Sequence, residues 1–271
     1  MADFSTLAVV LHESKPEASD IARPLVELAE ERGLDAVLLR ATDAVPEGAD
    51  VVVGVGGDGT LLEAVALAHP LDLPVIGVNL GTVGYLTDVE PDQIGGMLDA
   101  LASGEVRELH RMTLTVRLGD GTTFDGINDV VLEKESSQRL VQIEVDINKR
   151  HFTTYRSDGL IVATPLGSTA YSLSAGGPVI DPELQAIILT PVAPHSLLSR
   201  SIVLSPDAEL TFTISIDRDV RINVDGREAA VVRVGDVLSV ARGVRPVRFL
   251  SMFGGLPFPQ GVRRQFGLDH A

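Results

Sequence analysis

From Leu7 to about Ser103 the apolar runs are short and β-branched, and they alternate with stretches of helical period. Leu7–Leu11, Ala36–Leu39, Val51–Val55 and Val75–Val78 read as buried strands of a parallel sheet, because such a sheet is covered on both faces and tolerates unbroken apolar runs. Between the first two, Ile21, Leu25, Leu28 and Ala29 share one helical face, and Pro24 predicts a late start or a kink. Thr60–His69 and Pro91–Ser103 are the next predicted helices. Repeated βα units of this kind put a ligand beyond the carboxyl ends of the strands.

After Gly104 the period changes to two. Leu114, Val116 and Leu118 alternate with polar residues, as do Ile143, Val145 and Ile147. The segments Ile202–Leu204, Leu210–Ile216, Arg221–Val224 and Val237–Ala241 continue the pattern, separated by turn signals such as Asp225–Gly226 and Gly235–Asp236. The expected organisation is an α/β domain over residues 1–104, an all-β, sandwich-like domain over 105–250, and a tail over 251–271 that packs back on a domain. No linker rich in Ser, Gly or Pro separates the halves, so close packing between them is expected.

Composition narrows the chemistry. With no cysteine, a disulfide framework, a thiolate metal site and a catalytic thiol are all excluded. A formal charge of −16 disfavours nucleic acid and anionic membrane as partners, so an anionic substrate needs a local electropositive pocket. No apolar run approaches the roughly 18–20 residues that span a bilayer, and the first residues lack a signal-peptide pattern, so a cytoplasmic location is expected.

The segment VVVGVGGDGTLLEAV runs from a strand through Gly56, Gly57, Asp58, Gly59 and Thr60 into a helix. Glycines let the backbone approach a ligand closely, and the helix start offers unpaired N–H groups to phosphate. The bland alternative is a βα turn with Asp58 as helix N-cap. A Walker A loop is excluded by the missing lysine, and a Gly-x-Gly-x-x-Gly match on Gly54, Gly56 and Gly59 is weak evidence alone. A carboxylate at such a turn can accept a proton from a hydroxyl, orient it towards a γ-phosphate, or help hold Mg²⁺.

A second glycine turn, PVIGVNLGTVGYL, carries Asn79, Gly81 and Gly84 after the next strand. A third segment, Thr153–Ile180, has seven Gly, Ser or Thr residues between Gly167 and Gly177, which predicts a loop and short helix offering hydroxyls and N–H groups to ribose and phosphate. Arg156 and Asp158 precede the apolar run Leu160–Ala163 as an isolated charge pair that would be costly to bury idle.

Together these segments resemble the NAD kinase family in their Gly-Gly-Asp-Gly-Thr loop, Asn-x-Gly-x-x-Gly turn and Asp-Gly-Leu-Ile…Gly-Ser-Thr-Ala-Tyr-Ser-Leu-Ser-Ala-Gly-Gly-Pro block, in that order. Asn128–Asp129 and the run from Thr190 to Leu197 extend the likeness. The resemblance implies a Rossmann-like domain facing a β-rich nucleotide-binding domain, with NAD between them, in homodimers or homotetramers. It also implies phosphorylation of the adenosine-ribose 2′-hydroxyl of NAD by ATP with Mg²⁺, or by polyphosphate. Carried onto this chain, Asp58 is the proton acceptor and Gly59 contacts the dinucleotide, with Gly56, Gly57, Thr60 and Asn79 beside them. Asn128 and Asp129 resemble a clamp on ribose hydroxyls. Arg139, Arg156, Asp158 and Arg227 line the pocket, and Thr169, Ala170, Tyr171, Ser172, Leu173 and Ser174 wrap the nucleotide.

Three positions depart from the family pattern. Leu166 stands where threonine is usual, Glu63 where many members carry a basic residue, and Arg227 where glutamine is common. They bear on donor and acceptor choice and keep two alternatives open: a related phosphotransferase acting on another nucleoside or sugar hydroxyl, and an inactive NAD(P)-binding regulatory protein.

Overall fold

The computed structural model describes residues 4–12, 16–80, 87, 89–135, 139–196, 198–215, 218–252 and 258–268. Two compact units emerge, residues 1–110 with 247–271, and residues 111–246.

The first unit contains β1 (Thr6–Leu11), α1 (Pro16–Glu30), β2 (Asp35–Leu39), β3 (Val51–Val55), α2 (Asp58–Ala68), β4 (Val75–Val78), α3 (Ile94–Ser103) and β5 (Arg107–Arg111). Its six-stranded sheet has the order β2-β1-β3-β4, then the strand Val247–Ser251, then β5. The first four strands are parallel, and Val247–Ser251 joins β4 in parallel as well. Leu7, Val9, Val51, Val53 and Ile76 bury one face against Leu25 and Ala29 of α1 and Met97, Leu98 and Leu101 of α3. On the other face a Cβ at Gly54 or Gly77 would come within 3.1 Å of Leu61, so both glycines let α2 lie close to the sheet. From β1 the chain turns to β2 on one side, while β3 lies on the other. The carboxyl ends of β1 and β3 therefore flank a topological switch point, where open α/β sheets take their ligands.

Two expectations are corrected here. Ala36–Leu39 is not a buried strand: β2 lies at the sheet edge, and Val37 and Leu38 are 42% and 38% exposed. Of the late start or kink expected at Pro24, the late start does not occur: helix α1 begins at Pro16 and continues past the proline. Ala18, Ala22, Leu25 and Ala29 are fully buried on either side of the proline, and that packing outweighs one lost helical hydrogen bond.

The second unit is a sandwich of two six-stranded sheets. Its strands are β6 (Leu114–Arg117), β7 (Thr123–Gly126), β8 (Asp129–Lys134), β9 (Val141–Ile147), β10 (Arg150–Ser157), β11 (Gly159–Ala163), β12 (Ile187–Val192), β13 (Ile202–Leu204), β14 (Leu210–Ile214), β15 (Val220–Val224), β16 (Arg227–Val232) and β17 (Val237–Arg242). One sheet runs β10-β9-β14-β17-β6-β7 and the other β13-β12-β11-β8-β15-β16. Alternate residues of both, among them Val116, Ile143, Phe212, Leu132, Leu160 and Ile222, form a single core. Strands β8 and β11 are buried on their outer face too, where Val131, Ile161, Ala163 and Ile188 pack with Ile180. This second layer fixes the hydroxyl-rich segment against the sheet.

The units differ from the expected boundaries at 104/105 and 250/251 because Val247–Ser251 and β5 pair at the edge of the first sheet. In the sandwich core, Tyr155 is fully buried, its hydroxyl has no hydrogen-bond partner among the described residues, and burial pushes its ionisation upward. Tyr155→Phe is expected to raise stability by about 1 kcal/mol in urea unfolding, because an unsatisfied buried hydroxyl is removed at constant ring volume. A loss of stability would mean that the hydroxyl is satisfied in solution.

Candidate functional site

In the first unit the candidate residues lie where β3 meets α2. Gly57, extended at φ −95° and ψ −168°, is the helix N-cap, and Asp58 is the first helical residue. The N-cap role open to Asp58 therefore falls to Gly57, and the Asp58 carboxylate sits in the first turn, where the helix dipole favours negative charge. Gly56 is needed for packing, since a Cβ there would lie 2.2 Å from the Thr60 hydroxyl. Gly57 and Gly59 differ: no φ in the left-handed range is present at either, and a Cβ would meet nothing within 4 Å. Among the described residues neither strain nor packing calls for glycine at these two positions, and the missing side chains let a ligand come close to the start of α2. Thr60 is buried beneath the turn, and its hydroxyl has no hydrogen-bond partner among the described residues.

Asn79, at the end of β4, is buried. Its side-chain oxygen accepts from the Leu80 N–H at 2.9 Å, and its amide donates to Glu90 at 3.4 Å. These bonds hold the start of the second glycine turn. Gly81 and Gly84 lie outside the described residues.

In the second unit the candidates gather around the ends of β8 and β11. Asn128 precedes β8, and its carbonyl accepts from the Thr164 N–H at 2.9 Å. The Thr164 hydroxyl donates to the Ile127 carbonyl at 2.6 Å and accepts from the Gly167 N–H at 3.0 Å. Asp129 opens β8 and is only 5% exposed. Burial, and then the charge of Asp225, push its carboxyl up to about 7. Asp158, in the bend between β10 and β11, is paired with the Lys134 ammonium. Burial first, then the negative charges of Glu133, Asp158 and Asp129, push the Tyr171 hydroxyl upward.

The hydroxyl-rich segment has two sides. Ser168 donates to the Pro165 carbonyl at 2.6 Å, and Ser172 shares a hydrogen bond of 2.9 Å with Thr190, which donates to Ser201. Both serines are fully buried and organise the loop. Tyr171 and Ser174 are exposed, and Thr169, Ala170 and Leu173 are half-buried. Of the six residues expected to wrap a nucleotide, these five are at least partly exposed and Ser172 lies beneath.

The expected pair of Arg156 with Asp158 is not formed. Arg156 is exposed on β10, where its carbonyl accepts from the His195 N–H at 2.7 Å, and Lys134 takes its place beside Asp158. Arg139 and Arg227 are exposed, and Arg227 acts electrostatically on Asp225. Leu166 is buried, so this departure from the family pattern changes the loop interior; Glu63 is half-buried on α2. Two contributors were missed from the sequence. Lys134 gives a signal only once the antiparallel pairing of β8 with β11 brings its strand end to Asp158. Asp225 reads as an ordinary turn residue, and its partners lie about a hundred residues earlier in the chain.

Because the Asp129 carboxyl takes a proton in the folded state well above the ordinary 3.8, protonation favours folding between about pH 4 and 7, and stability falls as pH rises through that window. Asp129→Asn is therefore expected to unfold at higher temperature than the parent at pH 8, by on the order of a few kcal/mol, with the gap closing towards pH 4. Equal melting temperatures at pH 8 would show that Asp129 is not desolvated.

Comparisons with known proteins bear on both units. Residues 37–106 match the ATP-NAD kinase N-terminal domain and residues 127–252 the ATP-NAD kinase C-terminal domain. The chain is 36% identical over 261 residues to the NAD kinase of Geotalea daltonii, covering 90% of this chain and 92% of the relative. It is 40% identical to that of Geobacter metallireducens, covering 77% of this chain and 76% of the relative. Among solved structures, yeast NADH kinase complexed with NADH superposes with a TM-score of 0.89 at 23% identity, over 100% of this chain and 90% of that one. An NAD kinase from Archaeoglobus fulgidus in complex with ATP gives 0.73 at 24% identity, over 97% of each chain. At these identities the structural likeness speaks for the fold.

Proposed function

The chain belongs to the NAD kinase family, and from that premise we propose that it transfers the γ-phosphoryl group of ATP to the 2′-hydroxyl of the adenosine ribose of NAD, giving NADP and ADP. One observation carries the assignment to these residues. The two matched regions contain the glycine turn with Asp58 and, in the second unit, Asn128, Asp129, Asp158 and Tyr171.

A secondary hydroxyl is a poor nucleophile, so acceleration comes chiefly from in-line placement and neutralisation of charge. In the proposed step O2′ attacks the γ-phosphorus, the bond to the β,γ-bridging oxygen breaks, and the hydroxyl proton passes to Asp58. Gly57 and Gly59 leave the α2 N–H groups open to phosphate oxygens. Asn128 and Asp129 donate to and accept from ribose hydroxyls, and the exposed side of residues 169–174, Tyr171 foremost, covers the nucleotide. Arg139, Arg156 and Arg227 are exposed cations suited to pyrophosphate.

Among the described residues no group of three or more His, Asp or Glu could hold a metal ion. Mg²⁺ would enter with the triphosphate, bound mainly by waters and phosphate oxygens, and would neutralise charge as the phosphoryl group moves. Among the described residues no helix is long and apolar enough to cross a membrane. Cytoplasmic location and a homodimer or homotetramer complete the proposal.

Asp58→Asn is expected to lower the rate of NADP formation by roughly 10²–10⁴-fold while NAD binding by calorimetry stays within a few-fold. Near-parental turnover would remove Asp58 from the proton-accepting role.

A further inference from the structure

Asp225 forms the tip of the β15–β16 hairpin with Gly226, both at positive φ, 49° and 76°. A two-residue turn with positive φ at both positions is the type I′ geometry, for which Asn-Gly serves at least as well as Asp-Gly. The turn therefore explains a short polar residue here without explaining a carboxylate. The carboxylate has its own partners. Its oxygens accept from three consecutive backbone N–H groups, those of Ile127 at 2.9 Å, Asn128 at 2.7 Å and Asp129 at 3.1 Å. The Asp225 N–H in turn donates to the Asp129 carbonyl at 3.0 Å. Gly126 makes the approach possible, since a Cβ there would lie 2.8 Å from Val224. This anchorage sets two carboxylates side by side, an arrangement a hairpin needing only a turn would avoid.

We propose that Asp225 is a positioning residue of the phosphoryl-acceptor site: its carboxylate fixes the backbone of Ile127–Asp129 and so aims the Asn128 and Asp129 side chains at the ribose. The proposal rests on the NAD kinase function given above and adds to it a residue that touches no substrate. The groups facing Asp129 are Asp225 and Tyr171, and those facing Asp225 are Asp129 and Arg227. Asp225 is the negative neighbour that raises Asp129, so removing its charge lowers the pH at which Asp129 ionises.

Asp225→Asn keeps the turn chemistry and removes the charge. Steady-state kinetics across pH 5.5–9 are expected to show KM for NAD raised by at least about ten-fold with KM for ATP within about two-fold. The acid limb of kcat/KM for NAD is expected to move to lower pH. Unchanged KM for NAD together with an unmoved acid limb would overturn the proposal and leave Asp225 as a turn residue. A second measurement needs no variant. Hydrogen exchange on the parent enzyme is expected to find the Ile127, Asn128 and Asp129 amides protected by at least about 100-fold, and free exchange there would equally overturn it. Absence of NADP formation by the parent enzyme would instead count against the function, and the exchange result distinguishes the two failures.

Discussion

The backbone of Asn128 is the point on which the candidate site of the second unit depends, because two distant segments converge on it. Its carbonyl takes the Thr164 N–H, its own N–H goes to Asp225, and a Cβ on Gly167 would lie 2.0 Å from its oxygen. A substitution at Gly167 would have to displace backbone, which a packed layer resists. The strand start at Asp129, the loop carrying Tyr171 and the hairpin tip at Asp225 are thereby built as one piece. Side chains at such a crossing inherit their aim from main-chain hydrogen bonds, which define position more closely than a mobile loop can.

Electrostatics gives this piece its character. Asp129, Glu133 and Asp158 all act electrostatically on Tyr171 in a chain that is already strongly acidic, and Asp158 is ion-paired with Lys134. A buried carboxylate such as Asp129 destabilises a fold unless protonated or hydrogen-bonded, and its partly exposed neighbours Glu133 and Asp158 add like charge. They suit a ligand that offers several hydroxyl donors, as a ribose does. For phosphate the proposal looks instead to the glycine turn at the start of α2 in the first unit. The two chemistries are thus divided between units whose cores are separate.

Much of this was legible in the sequence because it is local. The runs at Val51–Val55 and Val75–Val78 are long enough and apolar enough to be central strands, and they are. Ala36–Leu39 carries the same pattern, yet a strand's place in its sheet depends on pairing, and β2 falls at the edge. Pro24 is a local signal overridden by burial on both sides of it. The hydroxyl-rich block could be recognised as a loop, but which hydroxyls turn inward depends on contacts with Pro165, Thr190 and Ile180. Lys134 and Asp225 were invisible as site residues because each acts on a partner brought near only by strand pairing or a docked hairpin. Val247–Ser251 likewise follows the sandwich in sequence and completes the other unit's sheet.

The central claim is that phosphoryl transfer here is directed to one hydroxyl of NAD. The most direct measurement is to incubate the purified protein with ATP, Mg²⁺ and NAD and to locate the new phosphate by phosphorus NMR, alongside a dehydrogenase that accepts only NADP. The account predicts ADP and NADP in equal amounts, with the phosphate on the adenosine-ribose 2′-oxygen. Transfer to a different hydroxyl, or ADP formed without NADP, would contradict it.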